Sequence, residues 1–462
     1  MQSDAGAAEE LKGTVLRGAT LALVAALLGA AAPSARAQGP EILSSARLLK
    51  LLRGGPVTLN AAQVTDTLDL RRLRVLHHPF TCRGCTFLGA ILGQGVVFER
   101  TLDLSGSTFQ GPIEMQQAEF AGPVLLGSPP ALRADRTTFS AAANFSVARF
   151  DDLATFQWAR FDKVANFTLA RFGATTIFGN TGFKEPALFK RALFRGNVDF
   201  GAAYFNQVGD FAQASFAGDA VFIGAWFIGT GSQYAAIFER ATSAGGFNFS
   251  FATIDRASTF ERLTASKGVS FQGALLPSRE VLTMDGLAAH DLFMSVADVS
   301  GSVQPLDQRG VLDLIEASAD ARKDLGTAND ALYAKRELIS GGYAWPARLL
   351  DAVFYRGVAG YLVRPLRPLL ALLALVAAFS LYRLAKPLRV RVRPLGLRRL
   401  GRGLARWGHE VLDTLALVFG RGSPAGESRR IEILVYRILL VCALIGLANS
   451  NPTLRQMVDA LH

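Results

Sequence analysis

The fold is decided by residues 143–161, ANFSVARFDDLATFQWARF. Phe145, Phe150, Phe156 and Phe161 recur there at alternating steps of five and six, and Ala143, Ala148, Ala154 and Ala159 each stand two residues ahead of one of them. Side chains two apart share one face of an extended strand, so each Ala and its Phe point inward together and the residue between them points out. A helix needs apolar residues three and four apart, and steps of five and six scatter around its surface. An eleven-residue helical supercoil fails for the same reason.

Outward from this stretch, Phe recurs every eleven residues at Phe139, Phe150, Phe161, Phe172, Phe183, Phe194, Phe205, Phe216 and Phe227, and on through Phe238, Phe249, Phe260 and Phe271. A second series lies between them at Phe145, Phe156, Phe167, Phe178, Phe189, Phe200, Phe211 and Phe222. Both series, up to Phe227, are expected to form one inward ladder. Units this short cannot bury an apolar face alone, so successive turns must stack into a solenoid with a spacing of about 4.8 Å. The main block spans 139–275. An earlier block, 57–126, keeps the period with Phe87, Phe98, Phe109 and Phe120, with Leu104 and Met115 between. GSPPALRADRTT at 127–138 separates the blocks and reads as an inserted loop. Beyond Phe227 the second series fails at Gln233 and Ala244, which predicts less regular final turns. An open solenoid end is an exposed strand edge. Within 38–56, EILSSARLLKLLR has helical apolar spacing and stops at Gly54-Gly55-Pro56, which suits a capping helix.

The 139–275 block, with the earlier one, resembles the pentapeptide-repeat family in its Phe-rich variant, where five- and six-residue units alternate. The resemblance implies a right-handed quadrilateral β-helix. Four sides would take 22 residues, and ANFSVARF (143–150) returns as ANFTLARF (165–172) at that interval.

Flanking segments set the expected location. Lys12 and Arg17 precede an apolar run ending in Ala35-Arg36-Ala37, so 1–37 reads as a signal peptide. After the repeat and a linker (276–305), the pattern turns helical: RGVLDLIEASADARKD, a break at Gly326, then TANDALYAKRELI, a helical hairpin over 306–341. A juxtamembrane segment (342–364) follows, with Tyr355, Arg356, Tyr361 and Arg364 suited to a membrane surface. Residues 365–383 and 433–449 read as transmembrane helices, with Arg437 the one costly residue. The net charge of +11 would ordinarily suggest a nucleic-acid partner. Position overturns that, because twelve Lys or Arg against three acids lie between Arg383 and Arg430. Arg383, Lys386, Arg389, Arg391, Arg393, Arg398 and Arg399 would hold the basic loop 384–432 in the cytoplasm, leaving the repeat and the tail 450–462 outside. Within that loop VLDTLALVFG (411–420) suits the membrane surface.

Chemistry-bearing residues are scarce: 5 His and 3 Cys in 462 residues. His77, His78, Cys82 and Cys85 form the one tempting cluster. Two Cys three apart on a strand face opposite ways, so neither a shared metal nor a local disulfide is expected there. The third, Cys442, falls within an expected span. Asn144, Asn166 and Asn248 begin triplets matching glycosylation acceptors, which a repeat placing Asn before Phe generates by itself. No catalytic, cofactor or metal site is expected. The leading expectation is a membrane-integral envelope scaffold with an unknown protein partner, its binding surface formed by outward residues such as Arg149, Arg160 and Arg171. A two-span channel-like protein is the alternative. DNA mimicry, known among proteins of the resembled family, needs an acidic rod, whereas 139–275 carries ten acids and twelve Lys or Arg.

Overall fold

The computed structural model describes residues 41–127, 136–279, 281–358, 366–385, 407, 409, 411–416, 418 and 427–450. The leader 1–37, Lys386, Arg389, Arg391, Arg393, Arg398 and Arg399 lie outside the described residues, as do most of the loops 127–138 and 384–432 and the tail from residue 451. Arg383 is described only through the backbone of its helix. The chain divides into two compact units, 1–266 with 273–276, and 267–272 with 277–462.

The first unit is a parallel β-solenoid. One circuit runs through the two-residue strands Thr138–Phe139, Ala143–Asn144, Arg149–Phe150 and Ala154–Thr155, and Arg160–Phe161 then lies in register on Thr138–Phe139. Twenty-two residues therefore close four sides, and Ala143↔Ala165 and Phe150↔Phe172 pair at that interval. One face stacks ten strands, from Ile42–Leu43 to Thr253–Ile254.

Two kinds of corner join the sides. After each second-series Phe the chain turns in four residues: the Ala148 N–H donates to the Phe145 carbonyl at 3.1 Å, and Val147 sits at φ 60°. Trp158, Leu169, Asn180, Arg191 and Ala202 repeat that left-handed conformation, which is unfavourable for residues with a Cβ. Side chains offset the strain. Oδ1 of Asn144, Asn166 and Asn248 accepts from the N–H two residues on, at 3.1, 3.0 and 3.0 Å. The glycosylation-like triplets are turn caps of the Asx type. At the other corners turns approach so closely that a Cβ on Gly111 would lie 2.4 Å from the Gly89 carbonyl carbon.

Every ring of the Phe139–Phe227 ladder is buried. The two sequence series become four columns. Phe139, Phe161, Phe183, Phe205 and Phe227 stack on one side and Phe150, Phe172, Phe194 and Phe216 on another, with neighbouring centroids 4.2–5.1 Å apart. The second series divides into Phe145, Phe167, Phe189, Phe211 and Phe156, Phe178, Phe200, Phe222, which meet edge-on, as at Phe156–Phe167 (82°). Such pairs contribute about 0.5–1.5 kcal/mol each beyond the area they bury.

The irregularity after Phe227 is an insertion. Gly209 pairs with Ala236, so this circuit takes five extra residues, accommodated around Gly229 (φ 69°) and Gly231 (φ 71°). Phe238 consequently stacks on Phe211 and Phe249 on Phe222, at 4.8 and 5.0 Å. The elevenfold series thus crosses from first-series places to second-series places, and Ser243, Ile254 and Ala265 take the vacated strand positions. At the other end Ile42–Leu43 pairs with Gln63–Val64, and the helix Ser45–Gly54 buries Leu48, Leu49 and Leu52. Ser44 caps the helix, while the Ser45 N–H and Oγ donate to Asp66 at 2.9 and 2.6 Å and hold that carboxyl below its usual pKa.

In the second unit the expected linker 276–305 is structured: it contains the strands Leu282–Thr283 and Ala288–Phe293 and the helix Val296–Ser302, capped by Ser295. The helices Pro305–Ala321 and Leu325–Gly341 form the hairpin. Its break comes before Gly326, at Lys323 (φ 61°), and Asp324 caps the second helix by accepting from the Thr327 N–H. The helices Leu366–Ala385 and Glu427–Ser450 occupy the expected spans and pack through Leu372, Val376, Ile433, Tyr436 and Leu439, with Val418. Among the described residues, however, no helix is long and apolar enough to cross a membrane. Arg429, Arg430, Glu432 and Arg437 interrupt the apolar run of the second helix, and Arg437 Nε donates to the Val418 carbonyl at 3.3 Å.

Candidate binding surface

Outward residues of a solenoid align in columns set by the circuit, and this corrects the expected arginine row. Arg149 and Arg171 are in register on one side, but Arg160 lies on a different side between Thr138 and Gly182, because eleven residues make half a circuit. There Arg160 Nε and Lys184 Nζ both donate to Asp162 at 2.7 Å. Burial opposes the Asp162 charge, but the two cations outweigh it and hold the carboxyl below its usual range.

The Arg149 side is less balanced. Arg149 Nε donates to Asp151 Oδ1 at 2.6 Å, whereas Arg171 and Arg195 have no side-chain partner among the described residues. Beside the strand column, Asp151, Gly173 and Arg195 stack in successive turns through Gly173 N–H to Phe150 O (2.6 Å) and Arg195 N–H to Phe172 O (2.7 Å). Gly173 offers no side chain between its neighbours. The result is a shallow recess of about 70 Å³ lined by Arg149, Asp151, Arg171, Gly173 and Arg195. Sequence reading missed Arg195, because it follows its Phe by one residue while Arg149 and Arg171 precede theirs.

On the Arg160 side, Tyr204 and Trp226 are in register, 6.4 Å apart and about half exposed. Asp199, also unanticipated, is largely buried. Burial pushes its carboxyl above the usual range, only partly offset by the Gly201 N–H it accepts at 2.6 Å.

The cysteine expectation is overturned: Cys82 and Cys85 form a disulfide with a Cα–Cα distance of 5.7 Å. They do not share one straight strand. Cys82 holds the place of a second-series Phe and Cys85 that of the small residue three on, with Gly84 (φ 63°) turning the corner between them. Both side chains consequently point into the core. His77 Nδ1 lies 2.9 Å from Glu99. Among the described residues no group of three or more His, Cys, Asp or Glu is placed to hold a metal ion. No protein-family model, curated protein or solved structure matches this chain.

Proposed function

We propose that this chain is a membrane-anchored protein of the pentapeptide-repeat type whose β-solenoid acts as an extracytoplasmic interaction scaffold. The observation that carries the reading is the solenoid itself: its interior is filled by stacked rings, and its outward side chains stand in columns that present a fixed surface to a partner. Two further features support the placement. A disulfide between Cys82 and Cys85 fits an oxidising compartment, in keeping with the export signal expected of 1–37. The helices Leu366–Ala385 and Glu427–Ser450 expose Leu370, Leu373, Ile438 and Leu444, an apolar surface that lipid would cover. Anchoring on these helices requires Arg437 to keep its carbonyl partner.

A channel-like second reading draws on the packing of Val411 and Val418 against the same helix pair. Labelling of intact cells with a membrane-impermeant maleimide separates the two. Val147→Cys, on an exposed corner, should react in intact cells, and Arg398→Cys only after lysis. The reverse pattern would sink the scaffold reading and favour the channel.

A further inference from the structure

We propose that the recess at Arg149, Arg171 and Arg195 binds a doubly charged oxoanion, specifically a phosphate group. Like charges directly opposite one another on neighbouring strands are destabilising. Arg149 and Arg171 occupy such positions in register, and Arg195 enters from the next turn over the bare Gly173. On the neighbouring sides some cations are matched, as where Arg160 and Lys184 share Asp162 and Lys163 meets Glu185 at 2.8 Å. Here Arg149 alone is matched, by Asp151, with Glu119 below it in the column on the side away from Arg171. The recess lining carries three guanidinium groups and one carboxylate, a surplus of two positive charges. A phosphate dianion neutralises that surplus, and the planar fork of a guanidinium matches two of its oxygens. The site does not depend on the membrane reading, because every residue in it belongs to the solenoid.

Phosphate can arrive as the free ion or as a monoester on a headgroup. The full chain in neutral detergent is titrated by calorimetry with inorganic phosphate and with glycerol phosphate, a soluble stand-in for the ester. Saturable binding of at least one is expected, weakened at least about tenfold in Arg171→Gln/Arg195→Gln, since that variant removes two charge-assisted hydrogen-bond donors. Arg160→Gln, on another side, should bind like the parent. Tighter binding of the ester assigns a headgroup, and tighter binding of the free ion assigns phosphate itself. The single variants Arg171→Gln and Arg195→Gln serve if the double variant fails to fold. No saturable binding of either probe at tens of millimolar, or undiminished binding in the variants, overturns the site.

Discussion

The turns up to Phe227 and those after it use the same elevenfold phenylalanine but put it to different structural use. From Phe139 to Phe227 Phe fills both the strand places and the corner-side places, and four ring columns run unbroken. After the insertion near Gly229–Gly231, Phe238, Phe249 and Phe260 continue only the corner-side columns. Ser243 then stands on Phe216 where a ring would be, and Phe247 stands on Ala220 where a small residue would be. The two have exchanged sizes, and Phe247 turns its ring edge-on to Phe216 at 5.3 Å. A place in the circuit, rather than a count along the chain, decides which way a side chain points, and the core is conserved as volume more than as residue identity.

The largest expected effect comes from breaking a column in the regular turns. Phe178 is fully buried between Phe156 and Phe200, so Phe178→Ala should lower unfolding free energy by about 3–5 kcal/mol, read by urea denaturation. A middling effect tests the size exchange. Ser243→Phe should overpack the later turns and cost about 1–3 kcal/mol. Adding Phe247→Ala should recover much of that loss, and simple additivity of two losses would show that the volumes are not coupled.

The smallest effect concerns Asp199, whose column continues through Val221 to Asn248 in the later turns. Its carboxyl is raised by burial, so the folded state carries no penalty below the ordinary carboxylate range and a growing one as pH rises from that range to the raised value. Asp199→Asn keeps the turn cap, as Asn248 does, and should raise the melting temperature at neutral pH while leaving it unchanged in acid. Asp162, held low by Lys184 and Arg160, has the opposite sign: its contribution is present above the ordinary carboxylate range and fades as pH falls.

The alternation of five and six made the solenoid, the inward rings and the 22-residue circuit legible, because a period-two strand pattern survives in short segments. The phase change was hidden. Five inserted residues plus the native step of six restore an interval of eleven, so Phe227 and Phe238 look equivalent although they occupy different columns. The cysteine pair was misread for a related reason, since a spacing of three crosses a corner at Gly84 rather than running along a strand. Of the candidate surface, Arg149 and Arg171 were visible as outward residues. Their separation from Arg160 and their union with Arg195 depend on which turns stack, and a half-circuit period does not reveal that.

Two five-residue deletions in the full chain, compared by thermal unfolding, test most directly whether circuit closure governs this core. Removing residues 229–233 restores a 22-residue circuit and keeps Phe238 on Phe211, so cooperative unfolding should survive with a melting temperature within a few degrees of the parent. Removing residues 184–188 from a regular turn deletes the strand Ala187–Leu188 and should abolish the transition. Loss of cooperative folding on deletion of 229–233, or its survival on deletion of 184–188, would contradict the account.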